Sequence, residues 1–478
     1  MARVRRVQWL ASWLTAVNLL FGLSSCAEIE RRASWPNGPL VTSGRWINDA
    51  TGAKITYIGA NWPGSLDTMI PEGLQYQSIE TLVSKIKSLG MNTVRLTYAI
   101  EMIDQYYDNG EKDVTIQTAF VDALGQDNGM AVYDKVVANN PSFGAETTRL
   151  QVYDAIAAEC AKQEIYVHLD NHISKAGWCC SPFDGNSWWG DIYFDVKNWT
   201  RGLSFMAEHG KTWTNLMSMS LRNELRISLN DTQLSSTSYN WEDWYKYVRQ
   251  GADAIHSANS DVLIFLSGLD SDKNLTTVVQ GSALEPGSGT FNRDDFEGYG
   301  DDKLVLELHV YDNILGTPSS DCSVTTDNLY DAGFQTLTKS AVNRFPLVVT
   351  EFGFPQNEST ATDSYAACLL DYFPAQHAGW MIWSLGGSYY IREGTQDYDE
   401  EWGLFSHDWS SWRSSDFVDG PLSKAVNASM APISDDDDDD GNPTDEPSLA
   451  PSLSQSQSGM TLTMGVLGAV VLISYSWL

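Results

Sequence analysis

The chain has 478 residues, 42% of them apolar and only 19% charged, which suffices for a large core and is unlike a disordered chain. It carries 62 Asp and Glu against 30 Lys and Arg, a formal net charge of −32. So acidic a balance excludes nucleic acid and anionic membrane surfaces as partners, because a polyanion needs basic patches.

Residues 1–27 read as a signal peptide: Arg3, Arg5 and Arg6 are basic, residues 7–23 are mostly apolar, and Ser25 and Ala27 suit a cut after Ala27. A signal anchor is the alternative. From there short β-rich apolar runs alternate with helical patterns. Strands are expected at 55–60, 93–97, 165–170, 216–221, 262–267, 304–308, 346–350 and 379–383. Helices are expected at 79–89, 150–163, 241–256 and 362–372. Eight such units predict an α/β fold, a (β/α)8 TIM barrel over residues 35–427. A doubly wound sheet is the runner-up, but no Gly-rich phosphate turn follows the first strand. Residues 101–148 and 171–195 are read as long βα loops after strands two and three, walling a cleft at the barrel's C-terminal face.

Beyond the barrel the composition changes. Residues 428–459 hold the acidic run 435–440 and a Ser/Pro-rich stretch, and predict an extended, solvated linker. Residues 460–478 are apolar with no basic residue after them. Small residues, a polar spacer and an apolar end form the pattern of a GPI signal, with Ser452, Ser454, Ser456, Ser458 and Gly459 as candidate sites and a tail-inserted helix as the alternative. The protein is therefore expected outside the cell, secreted or at the surface or wall, touching membrane only through this tail, and monomeric. Asn198, Asn230, Asn274, Asn357 and Asn427 open N-x-S/T motifs. Loss of Cys26 with the signal leaves five cysteines, Cys160, Cys179, Cys180, Cys322 and Cys368, an odd number whose pairing cannot be read. Cys160, in a helical pattern, is expected to be buried.

Polar residues gather at the strand ends. Arg95 ends strand two, Asp170-Asn171-His172 follow strand three, and Asn223-Glu224 end strand four. His309-Val310-Tyr311 end strand six, Glu351 ends strand seven and Trp383 ends strand eight. In a barrel those ends share one face, so the six sets point to one site. His168 and His172 are four apart, but on a strand that is about 13 Å, too far for a zinc pair. Asp301-Asp302 and Glu400-Glu401 are read as solvated loop charges. No metal and no cofactor are expected.

These pieces resemble glycoside hydrolase family 5, the cellulase-type members of a clan of retaining (β/α)8 glycosidases. The resemblance rests on Asn92-Thr93-Val94-Arg95-Leu96, Leu169-Asp170-Asn171-His172, Arg222-Asn223-Glu224, His309-Val310-Tyr311, Thr350-Glu351-Phe352-Gly353 and Ile382-Trp383-Ser384-Leu385. It implies Glu224 as acid/base and Glu351 as nucleophile. It further implies that Asn223 bonds the sugar 2-hydroxyl, that Arg95 supports Glu351, that His172, His309 and Tyr311 orient the carboxylates and the sugar, and that Trp383 floors the −1 subsite. The chemistry asks for one protonated and one ionised carboxyl. Arg95 is expected to hold Glu351 ionised, and Arg222 and Arg226 flank Glu224. Among 18 Trp, several are expected to stack on pyranose faces, Trp62, Trp178, Trp188, Trp189 and Trp383 above all.

The expected partner is thus a β-linked polysaccharide, oligosaccharide or glycoside, hydrolysed at a glucan or glucoside bond. The rivals are an inactive carbohydrate-binding wall protein on the same barrel, a transglycosylase, or a family member acting on mannan, β-1,3-glucan or glycosylceramide.

Overall fold

A computed structural model describes residues 35–311, 321–357 and 364–433. The expected signal peptide and apolar tail, and all but residues 428–433 of the expected linker, lie outside them. Eight parallel strands follow one another around a closed barrel: β1 (Ile58–Trp62), β2 (Thr93–Ala99), β3 (Tyr166–Ile173), β4 (Leu216–Ser220), β5 (Leu263–Leu266), β6 (Leu304–Val310), β7 (Leu347–Phe352) and β8 (Gly379–Ile382). β8 closes on β1, with Trp380 opposite Ile58 and Ile382 opposite Ala60.

The main helices are α1 (Ile79–Ser88), α2 (Ile100–Asp108), α3 (Ile116–Leu124), α4 (Gln126–Asn139), α5 (Arg149–Lys162), α6 (Val196–His209), α7 (Trp241–Ala258), α8 (Cys322–Ala332), α9 (Ser364–Ala375) and α10 (Ser423–Ser429). Several of their starts carry side-chain caps. Thr148 and Gln151 form a capping box on α5, and Asp195 accepts from Lys197 and Asn198 at the start of α6.

The strands are buried along their whole length because both faces are covered, and their two faces differ. Ile264, Leu266, Leu304, Leu306 and Val349 belong to the large cluster shared with the helices. Their neighbours Leu263, Phe265, Val305 and Val348 form a second cluster with Tyr57, Tyr166 and Met381, joined by Leu40 and Ile47 from the N-terminal segment. That second cluster plugs the barrel interior. Above it the interior is polar. His168 sits 4.4 Å over Phe265, and its ring nitrogens meet Ser218 Oγ and Ser220 Oγ, each at 2.8 Å. Glu307 Oε2 accepts from Ser220 (2.8 Å) and Thr350 (3.0 Å).

Several expectations are corrected. The first strand begins at Ile58, not residue 55. Lys54–Ile55 belongs to a separate three-stranded sheet with Val41–Ser43 and Trp46–Asn48. Asn92 makes the break: its side chain accepts from Ile58 N (2.9 Å) and donates to Thr56 O (2.8 Å), a contact from another segment that no local pattern announces. Residues 101–148 are not a loop, since α2, α3 and α4 occupy most of them. The final helix runs to Ser429, beyond the expected boundary at 427, and Ser429 Oγ accepts from Trp380 Nε1 at 2.9 Å.

Trp62, Trp188 and Trp189 are fully buried and have no face for a sugar. Trp62 Nε1 donates to Glu72 O, and Trp188 and Trp189 pack edge to face 4.7 Å apart. Burial of so much ring surface outweighs any surface role. Glu400 is not solvated either: it is 2% exposed and pairs with Arg392 at 3.1 Å. Cys322 pairs with Cys368, joining α8 to α9, and Cys179 pairs with its neighbour Cys180. Cys160 is free and buried.

Phe265 is fully buried at the junction of plug and polar layer, stacked on Tyr57 at 6.0 Å. Phe265→Ala is expected to lower unfolding free energy by about 3–5 kcal/mol, read from the urea midpoint at unchanged m-value.

Candidate active site

All eight candidate residues converge at the C-terminal mouth of the barrel. Arg95 lies on β2, His172 on β3, His309 on β6 and Glu351 on β7. Tyr311 and Trp383 stand one residue past β6 and β8, and Asn223 and Glu224 three and four past β4. β2 and β6 turn Arg95 and His309 inward because their neighbours Val94, Leu96, Leu308 and Val310 pack outward against helices.

Arg95 is the hub. Its guanidinium donates to Asn61 Oδ1 (2.8 Å) and Asn223 Oδ1 (2.8 Å), and pairs with Asp170 Oδ1 (3.0 Å) and Glu351 Oε1. Burial opposes ionisation of Asp170, but Arg95 and His172 hold its carboxyl down to about 2. Glu351 also accepts from Tyr311 Oη at 2.8 Å. Burial and the nearby Glu351 and Glu224 charges keep the Tyr311 proton well above its usual range, so it remains a donor. His172 bonds Asp170 (2.7 Å) and stacks on Trp383, centroids 5.4 Å apart and planes at 10°.

Glu224 is the more open carboxylate, 15% exposed at its side chain against 5% for Glu351. An oxygen of each and a ring nitrogen of His309 all lie within 4.8 Å of one another. His309 Nδ1 is 3.0 Å from Glu224 and 3.6 Å from Glu351, and Nε2 is 3.7 Å from Asp272. Burial alone would push His309 down. The carboxylates of Glu351, Glu224 and Asp272 reverse that and raise it to about 9. The expectation that Glu224 holds its own proton is therefore corrected for the unliganded site. Burial pushes Glu224 up, but the His309 hydrogen bond and charge, with Arg226 and Lys273, outweigh it and the net direction is down. The two shifts favour His309 over Glu224 as the holder of a proton between them. Arg222 does not intrude: it turns away to Ser174 Oγ (3.0 Å) and Asn186 O (2.6 Å), over Phe194. Arg226 donates to the backbone carbonyl of Glu224.

Further residues complete the site, most of them with no signal in the sequence. Asn61 holds the Arg95 guanidinium and donates to Thr350 O at 3.0 Å. Glu307, beneath Arg95, is raised by burial to about 7. Asp272 Oδ2 accepts from Glu224 N at 2.7 Å from a turn in which Asp270, Ser271 and Asp272 all have φ near 58°. Such left-handed residues cost on the order of 1–3 kcal/mol each. Gly353 carries the Glu351 turn past Trp383, since a Cβ there would lie 2.5 Å from Trp383 O. Trp178 and Trp402 edge the mouth: Trp178 meets Trp383 at 6.4 Å, and Trp402 lies 5.8 Å from Tyr311. The first was a sequence candidate; the second lies in an acidic turn and was not.

Residues 49–388 match the family model described as Cellulase (glycosyl hydrolase family 5). The chain belongs to that family. It is 34% identical over 390 residues to a glycosyl hydrolase 5 family protein of Chamaecyparis obtusa, covering 80% of this chain and 65% of that one, so it spans about two thirds of that relative's length. It is 22% identical over 416 residues to an endoglucanase of Paenibacillus polymyxa, covering 82% and 88%. The fold resembles an endocellulase from Pyrococcus horikoshii at a TM-score of 0.60 and 18% identity, over 82% of this chain and 99% of that one. It also resembles the catalytic domain of the major endoglucanase from Xanthomonas campestris at 0.57 and 18%, over 81% and 99%. Membership places the chain among the glycoside hydrolases, on their (β/α)8 barrel.

A His raised from about 6.5 unfolded to about 9 folded binds more protons when folded between those values. Its stabilisation is therefore full below pH ~6.5 and is lost as pH rises through ~9. His309→Asn is expected to be less stable than wild type by up to about 3 kcal/mol at pH 6, with the gap closing by pH 9.5. Calorimetric unfolding of both proteins across that range checks it.

Proposed function

We propose that this protein is a retaining β-glycoside hydrolase acting on a β-linked glucan or glucoside, with Glu351 as nucleophile and Glu224 as acid and then base. The observation that carries the reading is the spacing of the two carboxylates, with oxygens within 4.8 Å. Retaining pairs stand about 5–5.5 Å apart, whereas inverting pairs need about 6.5–9.5 Å to admit a water.

The surrounding groups supply the rest of a double displacement. Arg95 and Tyr311 fix the two Glu351 oxygens beneath the anomeric carbon. Glu224 takes a proton from His309 Nδ1 across their 3.0 Å contact. As Glu351 bonds to the anomeric carbon, the glycosidic bond breaks and the leaving oxygen carries that proton off, leaving Glu224 a carboxylate. In the second step Glu224 draws a proton from water, and the hydroxide displaces Glu351. Asn223 donates to the sugar 2-hydroxyl and Trp383 floors the cleaved ring. The endoglucanase named among the relatives favours a β-glucan over a mannan.

The mechanism has a direct check. Glu351→Ala should lower kcat by on the order of 10⁴-fold or more on every substrate. Glu224→Gln should spare aryl glycosides whose leaving group needs no proton, and azide should then restore turnover. A 2-fluoro glycoside with a good leaving group should label Glu351. Label on another residue, or first product of inverted anomeric configuration, would overturn the assignment.

We also propose export and a lipid anchor, on the composition of residues 1–27 and 460–478 alone. Phosphatidylinositol-specific phospholipase C should release the protein from cells. Recovery of peptides from residues 464–478 in the mature protein would count against it.

A further inference from the structure

The segment after β3 brings a bonded pair of adjacent cysteines, Cys179 and Cys180, to the wall of the site. Both are partly exposed. Their sulfurs and a carboxylate oxygen of Glu224 lie within 4.8 Å of one another. Asn223 Nδ2 is 3.4 Å from Cys180 Sγ and 3.6 Å from Cys179 Sγ. The orientation of that amide is not free. Asn223 Oδ1 faces Arg95 Nη2 at 2.8 Å, and a guanidinium can only donate, so the oxygen must face Arg95 and the NH2 must face the sulfurs. Disulfide sulfurs accept hydrogen bonds weakly and donate none. They can hold one N–H of the amide while leaving the other for a stronger acceptor.

The preceding residue ties the pair into the aromatic rim. Trp178 packs against Tyr389 at 5.5 Å and Trp383 at 6.4 Å, with the Arg392 guanidinium 3.5 Å over its ring. The disulfide thus stands between a rigid aromatic cluster and the amide that faces the sugar.

We propose that the Cys179–Cys180 disulfide is a specificity-determining element that positions the Asn223 amide for an equatorial 2-hydroxyl on the sugar being cleaved. The inference rests on the reading of Glu224 and Glu351 given above. It makes the disulfide a positioning group that acts through Asn223. Oxidised, it sets the second N–H toward the 2-hydroxyl. Opened, it leaves two thiols that rotate independently and release the amide.

The test compares kcat/KM for an aryl β-glucoside and its 2-deoxy counterpart, since only the glucoside offers the 2-hydroxyl. The glucoside preference of wild type is expected to fall at least tenfold in Cys179→Ala/Cys180→Ala, as it should in Asn223→Ala. Should the double variant not fold, folded wild-type protein is treated with a water-soluble phosphine. The phosphine becomes its oxide with oxygen from water as the S–S bond becomes two thiols. Alkylation and peptide mapping then count the thiols at positions 179 and 180. Loss of preference that tracks the thiols at positions 179 and 180, and not those released at Cys322 and Cys368, supports the proposal. An equal fall on both substrates, or an unchanged preference while Asn223→Ala loses it, overturns this inference and leaves the catalytic reading intact. Absence of turnover on any β-glycoside together with absence of 2-fluoro label on Glu351 overturns the catalytic reading, and this inference falls with it.

Discussion

One buried cation organises the mouth of this barrel. Arg95 has no exposed surface, and an unpaired guanidinium there would carry a prohibitive desolvation penalty. Its fork is met by Asn61 from β1, Asp170 from β3, Asn223 from beyond β4 and Glu351 from β7. A single charge therefore fixes the ends of four chain segments relative to β2. A Lys could not replace it, since an ammonium lacks the planar set of donors that reaches four acceptors at once. The same arrangement places a carboxylate beneath the cleft without exposing it to bulk water.

A second cation divides the labour. His309 lies between Glu224 and Glu351 and faces Asp272 with its other nitrogen. Carboxylates this close repel one another, and the imidazolium between them offsets that repulsion. Glu351 is pinned by permanent donors. Glu224 is held by a group that can give its proton away, and is the more solvent-accessible of the two. The two glutamates thus differ in their partners and not in their own chemistry.

The barrel below is built to support this, not to take part. Its interior is an apolar plug around Phe265, then a polar hydrogen-bonded layer of His168, Ser218, Ser220, Glu307 and Thr350. Burial and the Arg95 charge push His168 down to about 3, so it adds no charge under the site. Segments outside the barrel complete the mouth: the Trp178–Cys179–Cys180 stretch, the left-handed turn at Asp270–Asp272, and Trp402.

The sequence by itself determined the eight strands and the interior face of their ends. A strand buried on both sides still shows period two once a polar residue interrupts it, as Arg95 interrupts β2 and His309 interrupts β6. It also placed Glu224 and Glu351 at strand ends on one face of the barrel, while the roles proposed for them rest on the resemblance. The tertiary structure alone decided the rest. Glu307 and Asn61 sit inside apolar runs with no local pattern to mark them, and their partners come from strands far off in sequence. Trp62, Trp188 and Trp189 read like sugar platforms because an aromatic ring carries no sign of which surface it will meet. The pairing of Cys179 with Cys180, and of Cys322 with Cys368, depends on distances that spacing does not encode. The protonation of Glu224 was the least legible of all. It is a balance between burial and the charges of His309, Arg226 and Lys273, contributed by β6 and the segments after β4 and β5, and it exists only once the barrel has closed.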